Sequence, residues 1–417
     1  MIVHMTRRDL AKLAASAAAL AGSPQALAGR PQALAGRPQA LDGRPQAQDG
    51  KPPAQAADTA KYTGALDGFE GKVDIAGFDP VAYTKKLHDV APLRMTFTAQ
   101  TRRAAEQWQK DLRAKLTELL GGFPAAGSPL DPQTLEVREF PGYRREKFVI
   151  QSRPGLYVLG YLLTPKGRSG PHPAVVCIPG HGRGVDDLVG IDENGRDRTE
   201  KVGYQYDFAI QAVEHGMAAV AIEPMAFGCR RDALTKSKGL GAAACQPVAG
   251  SALLLGQTMI GWRVYDVMRT IDWIGTRKEL DAGRVGCMGI SGGGTCTLFA
   301  SALDTRIRAA MVSGYLNTFR ECVMSVSHCI DNYVPGILNW AEQYDVAGLV
   351  APRPLFAESG ERDDIFPVAA ARESFRRVQK VYAVFDAGAV TEHETFDGPH
   401  SFWGKRGLPF MAKHLGV

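Results

Sequence analysis

The sequence predicts an α/β fold with a mostly parallel central sheet, antiparallel strands at its N-terminal end and helices on both faces. From residue 174 onward, short apolar runs typical of buried strands alternate with helical patterns, as in a parallel sheet. Two earlier strand-like runs are separated by the turn signal SRPG at residues 152–155. Residues 284–298, RVGCMGISGGGTCTL, then combine a strand, a glycine-rich turn around a serine and a helix.

The N-terminal segments are expected to lie outside this fold. Residues 1–28 contain the twin-arginine pattern TRRDLAK at 6–12 and an alanine-rich stretch, which together indicate a Tat-type signal peptide and export. Residues 29–58 repeat a seven-residue unit with a proline in each copy. Proline excludes a continuous helix, so this segment is expected to be a low-complexity linker.

Two further domains are predicted. Residues 59–133 form an N-terminal helical extension packed on the core, with a helix over 99–120, and residues 134–417 form the catalytic domain. The expected strands are 145–151, 156–163, 174–178, 217–222, 284–290, 307–313, 354–359 and 381–386, and the expected helices are 206–215, 260–277, 295–303, 369–379 and one starting at 408. Two long insertions, 225–256 and 317–347, follow the carboxyl ends of strands, where ligands bind in such sheets.

Composition excludes several classes of partner. The 417 residues are 45% hydrophobic and 22% charged, with a net charge of +5. No block of lysine and arginine indicates nucleic-acid binding, and no apolar run reaches the roughly 20 residues of a membrane span. We therefore expect no nucleic acid partner and no stable membrane insertion, while a homo-oligomer remains compatible with the sequence.

The seven cysteines include no C-x-x-C pair, which argues against a zinc ribbon or a thioredoxin-type site. In an oxidising compartment, Cys322 with Cys329 or Cys229 with Cys245 are candidate disulfides. The odd number leaves at least one free thiol.

The glycine-rich turn matches the G-x-S-x-G nucleophile elbow, with Ser291 as the nucleophile. A serine needs a base, and the base needs a group that fixes its tautomer. Asp363 is the preferred acid, with Asp364 as its rival, because it lies in a G-x-x-D loop after a predicted strand. His400, in the turn before the final helix, is the preferred base, and His393 is the alternative.

Two backbone donors are expected around the oxyanion. One is the N–H of Gly292, directly after the nucleophile. The other lies in the loop PGHGRG at residues 179–184, where Arg183 is preferred and Gly182 is the alternative. A loop-bracing hydrogen bond is expected for His181, with substrate contact as the second interpretation.

The second insertion carries polar side chains that are candidates for substrate contact: His328, Asp331, Asn332 and Tyr333. Of these, His328 and Tyr333 join His181 as the predicted substrate-binding residues. His328, Cys329 and Asp331 are too irregularly spaced to share one helix face, and no second cluster in the sequence completes a metal site. We therefore expect no metal and no cofactor.

Six motifs together resemble bacterial α/β-hydrolases of the acetyl-xylan-esterase-like and dienelactone-hydrolase-like group: PGHGRG, GISGGGT, ALDTRIRAAMVSGY, HCIDNYVPG, APRPLFAESGERDDIFP and GPHSFW. The resemblance covers about residues 97–417. It implies Ser291, Asp363 and His400 as a catalytic triad, with Gly292 and Arg183 around the oxyanion. Dienelactone hydrolases use a cysteine nucleophile, so the serine here favours ordinary ester hydrolysis.

The resulting expectation is an exported serine carboxylester hydrolase that deacetylates a carbohydrate such as xylan or a related small ester. A peptidase of the prolyl-oligopeptidase type is a first alternative, although too few residues precede the first strand for a propeller domain. A non-catalytic carbohydrate-binding protein on the same fold is the second.

Overall fold

A nine-stranded sheet runs through the computed structural model, which describes residues 64–242 and 244–417. Its strands are β1 Gln133–Glu139, β2 Tyr143–Arg153, β3 Leu156–Pro165, β4 His172–Ile178, β5 Ala218–Ile222, β6 Leu280–Ile290, β7 Ile307–Ser313, β8 Leu355–Gly360 and β9 Thr391–Phe396. Their order is β1-β2-β3-β5-β4-β6-β7-β8-β9. The first three strands and the pairing of β3 with β5 are antiparallel, and all later pairings are parallel. The predicted α/β-hydrolase architecture is therefore confirmed.

Helices cover both faces of this sheet and bury its strands. They are α1 Pro80–Asp89, α2 Arg102–Leu119, α3 Phe208–Glu214, α4 Ala233–Lys236, α5 Cys245–Leu254, α6 Met259–Ile274, α7 Gly292–Leu303, α8 Gln343–Gly348, α9 Val368–Val384 and α10 Gly407–Leu415. Every residue of β4 and β5 is buried, as expected for parallel strands with helices on both sides. One apolar cluster lies beneath α2, α6, α7 and α9, and a second beneath α3 and α10.

Helix α2 packs on this core. Thr101 caps its first turn by accepting a hydrogen bond from the N–H of Ala104. Ala105, Leu112 and Leu116 are fully buried on one face, at intervals of seven and four residues that fit helical geometry. Residues 68–417 accordingly form one compact unit.

One predicted strand is wrong. Residues 381–386, expected to be a strand, instead form the end of helix α9 and the turn after it. Val378, Val381, Tyr382 and Phe385 are buried at helical spacing, so the apolar run is the buried face of a helix. The true last strand, Thr391–Phe396, is polar along most of its length and has little apolar pattern.

Both insertions lie at the carboxyl ends of the parallel strands. The first contains α4 and α5, and the second leads into α8. No helix in residues 64–242 and 244–417 is long and apolar enough to cross a membrane. The predicted signal peptide and repeat linker lie outside the described residues.

Candidate active site

Ser291 lies at a sharp turn between β6 and α7. Its φ of 57° and ψ of −124° fall in a region that non-glycine residues rarely adopt. The N–H of Ser291 donates to the carbonyl of Ser313 at 3.1 Å, which ties the turn to the end of β7. The predicted elbow therefore has the strained backbone that presents a side chain at the sheet edge.

The glycines around Ser291 are required by close packing. A Cβ on Gly289 would lie 2.6 Å from the carbonyl group of Gly293, and one on Gly293 would lie 1.9 Å from the carbonyl oxygen of Ile178. Real Cβ atoms do not approach so closely, so any side chain would push the elbow away from the neighbouring strand. Glycine here permits the turn at the cost of helix propensity.

His400 and Asp363 form a close pair next to this elbow. The Nδ1 atom of His400 lies 2.7 Å from Oδ2 of Asp363, whose side chain is only 1% exposed. The other carboxylate oxygen accepts hydrogen bonds from the N–H groups of Ile365 and Phe366, both at 2.9 Å. Asp363 is thus fixed on three sides and can hold one orientation and one tautomer of His400.

Two aromatic rings pack against His400. Tyr204 and Phe366 stack with its imidazole at centroid distances of 5.7 and 5.4 Å. Gly314 lies against the edge of the imidazole, because a Cβ on Gly314 would lie 3.0 Å from Cε1 of His400. The imidazole consequently has little room to rotate.

Glu358 secures the segment that follows His400. Its carboxylate accepts from the hydroxyl of Ser313 at 2.6 Å and from the N–H groups of Trp403 and Gly404 at 2.9 Å. Burial raises the pKa of Glu358 to about 7, although these donors oppose the shift. Glu358 therefore connects the ends of β7 and β8 to the loop that carries the histidine.

A cavity of about 740 Å³ opens over these groups. Its lining residues are His181, Tyr204, Ser291, Gly292, Val326, Ser327, His328, Cys329, Asn332, Asp364, Ile365, Phe366 and His400. Nε2 of His400 is buried and has no hydrogen-bond partner among the described residues. Ser291 and the free ring nitrogen of His400 thus face one space, and such hydrogen bonds often form only when substrate is bound.

The structure places one predicted oxyanion donor at the cavity and corrects the other. Gly292 begins α7, so its N–H has no acceptor within the helix. The N–H of Arg183, the predicted second donor, instead donates to Oδ2 of Asp187 at 2.9 Å, and Arg183 lines a separate cavity. His181 lines the cavity over Ser291, which makes its backbone N–H a better candidate than that of Arg183.

The two alternative triad members lie in other environments. Asp364 lines the cavity, but Asp363 is the acid that contacts His400. His393 lies on β9 and its Nε2 is 3.1 Å from Oγ of Ser359. Burial and the nearby Arg372 lower the pKa of His393 to about 4, so it is neutral at physiological pH.

Of the three predicted substrate contacts, two line the cavity. His181 and His328 both face it, and burial lowers the pKa of His328. The hydroxyl of Tyr333 donates to the carbonyl of Val323 at 3.1 Å, and Tyr333 is not among the described residues that line the cavity. Tyr204 and Phe366 were missed, since single aromatic residues in loops carry no sequence pattern.

A cluster of polar side chains lies behind the oxyanion loop. His181, Cys245, Cys329 and Asp331 place one ligand atom each within 4.8 Å of the others. The sequence alone indicates no residues that complete a set of metal ligands around Cys329 and Asp331. That interpretation is wrong, because the fold brings His181 and Cys245 to them. Neither candidate disulfide is formed: all seven thiols are free, and Cys245 lies near Cys329.

A nucleophile elbow on a mostly parallel sheet, with an acid and a histidine following in chain order, defines the class of α/β-hydrolases. The chain matches the Abhydrolase family over residues 81–384 and belongs to that family.

Its similarity to individual proteins agrees with this family. The chain is 26% identical over 280 residues to YtaP of Bacillus subtilis (strain 168), a protein assigned as a hydrolase, covering 65% of this chain and 87% of YtaP. A protein of Bacteroides fragilis assigned as an acetyl xylan esterase shares the fold with a TM-score of 0.66 and 22% identity, covering 76% and 82% of the two chains. A glucuronoyl esterase from Solibacter usitatus shares it with a TM-score of 0.59 and 15% identity, covering 79% and 98%. The resemblance to α/β-hydrolases of the acetyl-xylan-esterase-like group is confirmed.

Proposed function

We propose that this protein is a serine carboxylester hydrolase, and the contact of 2.7 Å between His400 and Asp363 beside the strained Ser291 carries this proposal. Oγ of Ser291 attacks the ester carbonyl while Nε2 of His400 accepts its proton. The C–O bond to the alcohol breaks, and His400 returns the proton to the departing alcohol. Water then attacks the acyl-enzyme by the same route and releases the acid and Ser291.

The negative charge of each tetrahedral intermediate is stabilised by two backbone N–H groups, those of Gly292 and His181. Gly292 contributes the first amide of α7, where the helix dipole also favours an anion. Tyr204 fixes the position of the second donor, because its hydroxyl donates to the carbonyl of His181 at 2.6 Å. The two donors follow different strands, β6 and β4.

The preferred substrate is an acetylated, uncharged carbohydrate or a related small ester. The described residues that line the cavity include no lysine and no arginine, and they include the acidic Asp364. A substrate that carries a carboxylate would meet no lysine or arginine there, whereas the hydroxyl of Ser327 is available to a hydroxyl group of the substrate.

We also propose export by the twin-arginine route, supported by Arg7 and Arg8 in the N-terminal pattern. Replacing both by lysine is expected to keep the protein in the cytoplasm, as measured by cell fractionation. Equal export of the variant and the original chain would contradict this proposal.

The test of the active serine uses a fluorophosphonate probe with two matched variants. Ser291→Ala is expected to lose both labelling and turnover of a chromogenic acetyl ester. Ser251→Ala removes an exposed hydroxyl on α5, outside the cavity, and is expected to retain both. Undiminished ester turnover by Ser291→Ala would overturn the proposal.

A substrate series then separates the remaining functions. Acetyl, feruloyl and methyl esters of neutral sugars and of a uronic acid are compared, together with an amide matched to the best ester. We expect the highest kcat/KM for an acetylated neutral sugar. Faster cleavage of the amide would indicate a peptidase, and a folded protein inert to every substrate and probe would indicate a binding protein.

A further inference from the structure

Three separate segments bring His181, Cys245, Cys329 and Asp331 together, and ester hydrolysis does not use them as a group. His181 comes from the oxyanion loop after β4, Cys245 begins α5 in the first insertion, and Cys329 and Asp331 belong to the second insertion. We propose that these four side chains bind one Zn²⁺ ion in a tetrahedral structural site. This inference does not depend on the esterase function.

The distances between the ligand atoms fit a tetrahedral zinc. Zinc bonds of about 2.3 Å to sulfur, 2.05 Å to nitrogen and 2.1 Å to oxygen place a nitrogen and a sulfur about 3.6 Å apart, a sulfur and an oxygen about 3.6 Å, and a nitrogen and an oxygen about 3.4 Å. Nε2 of His181 lies 3.6 Å from Sγ of Cys245 and 3.5 Å from Oδ2 of Asp331, and that sulfur lies 3.8 Å from that oxygen. Three of the six distances between the ligand atoms of a tetrahedral site are therefore already close to the required values.

The fourth ligand is Cys329. Its sulfur lies within 4.8 Å of the other three atoms, so a small side-chain adjustment completes the set. Cys329 and His181 also line the cavity over Ser291, which gives a metal ion a path from solvent. Two cysteines, one histidine and one carboxylate are ligand types that zinc accepts.

Charge also favours the ion. Arg263 is buried and pairs with Asp331, and its second amino group lies 3.5 Å from Sγ of Cys245. With neutral His181, the positive charges of Zn²⁺ and Arg263 equal the three negative charges of Asp331 and two thiolates. Both thiol protons leave to solvent when zinc binds.

An outer shell of hydrogen bonds orients the ligands. Arg263 donates to the carbonyl of Met225 at 2.7 and 3.1 Å, which fixes its guanidinium. Oδ1 of Asp331 accepts from the amide of Asn332 at 3.0 Å, and Asn332 accepts from the hydroxyl of Thr295 at 2.8 Å. Such second-shell contacts typically hold metal ligands in place.

The site has a direct connection to the chemistry. Zinc on Nε2 would keep the proton of His181 on Nδ1. That nitrogen lies near the first residue of α7, because a Cβ on Gly292 would be 3.2 Å from it. The ion would thus join both insertions to the oxyanion loop.

Metal analysis of the full-length protein tests the proposal. The chain is purified from zinc-supplemented cells in the presence of a reductant, and bound zinc is measured by plasma mass spectrometry. We expect about one zinc per chain in the original protein and in Cys229→Ser, a matched cysteine outside the cluster. Cys245→Ser and Cys329→Ser are expected to fall at least tenfold.

Cobalt substitution keeps the test decisive if a serine variant fails to fold. Co²⁺ bound to the original protein is expected to show thiolate charge-transfer absorption and the intense visible bands of a tetrahedral site. Cys229→Ser should show the same spectrum. A folded original protein that binds neither ion, a spectrum without thiolate bands, or a disulfide between Cys245 and Cys329 that persists after mild reduction would overturn the proposal.

Discussion

Oδ2 of Asp363 lies 2.7 Å from Nδ1 of His400, while Oδ1 of the same carboxylate accepts two backbone N–H groups. One oxygen therefore fixes the acid and the other fixes the histidine. This arrangement leaves Nε2 of His400 as the only ring nitrogen able to accept the proton of Ser291.

Asp363→Asn is expected to lower kcat about 10⁴-fold with little change in KM, because the amide can donate to Nδ1 and reverse the tautomer. Asp364→Asn is the matched control, since this neighbouring side chain lines the cavity without contacting His400. Steady-state kinetics on a chromogenic acetyl ester check both variants. A larger loss in Asp364→Asn would show that the acid was assigned wrongly.

The two C-terminal histidines give a second comparison. His400→Gln is expected to abolish turnover, because glutamine cannot accept the proton of Ser291. His393→Gln breaks the contact with Ser359 and is expected to lower thermal stability while kcat stays within about threefold. Thermal unfolding and kinetics measured on the same samples separate the two effects, and a catalytic loss in His393→Gln beyond that range would contradict the prediction.

Sequence patterns predicted most of this fold because its buried strands and amphipathic helices differ in period. The failure at residues 381–386 has a physical cause: a five-residue apolar run fits either a buried strand or one face of a helix. Strand β9 went unnoticed because Glu392, His393 and Glu394 interrupt any apolar pattern. Its position in the sheet comes from backbone pairing with β8, which no local pattern reports.

The candidate site was likewise predictable only in part from the sequence. Ser291, Asp363 and His400 follow local motifs in a known chain order, and the structure brings the last two into contact. Arg183 was misplaced because a glycine-rich loop does not reveal which amide an acidic neighbour occupies. The partnership of Cys245 with Cys329 joins two insertions distant in sequence, so only the fold could show it.

Gly314→Ala tests how tightly the histidine is held. Gly314 has a φ of +48°, and its new Cβ would lie 3.0 Å from Cε1 of His400, so we expect at least a tenfold loss of kcat. Gly122→Ala is the control, because its φ is +76° and no atom lies within 4 Å of the new Cβ. Both variants should lose about 1 kcal/mol of stability from backbone strain, measured by urea unfolding. Equal kcat values in the two variants would contradict the proposed restraint on His400.

The buried Glu223 predicts a pH dependence of stability. Burial raises its pKa to about 8, against the hydrogen bond that it accepts from the N–H of Val185 at 3.1 Å. Between the unfolded pKa near 4.5 and the folded value, the native state holds a proton that the unfolded state has released. The free energy of unfolding therefore falls as pH rises through this window, and the contribution of Glu223 is complete only below pH 4.5.

Glu223→Gln removes this titration. Between pH 5 and pH 8, the free energy of unfolding of the variant should therefore fall by about 2–4 kcal/mol less than that of the original protein. Glu279→Gln is the control, because hydrogen bonds with Arg277 outweigh partial burial and lower the pKa of Glu279. Its carboxylate is ionised in both states above pH 5, so its removal should leave the slope unchanged. Urea unfolding at several pH values measures the slopes. If Glu223→Gln and the original protein change in parallel, Glu223 is ionised in the folded state and its burial is compensated by its neighbours.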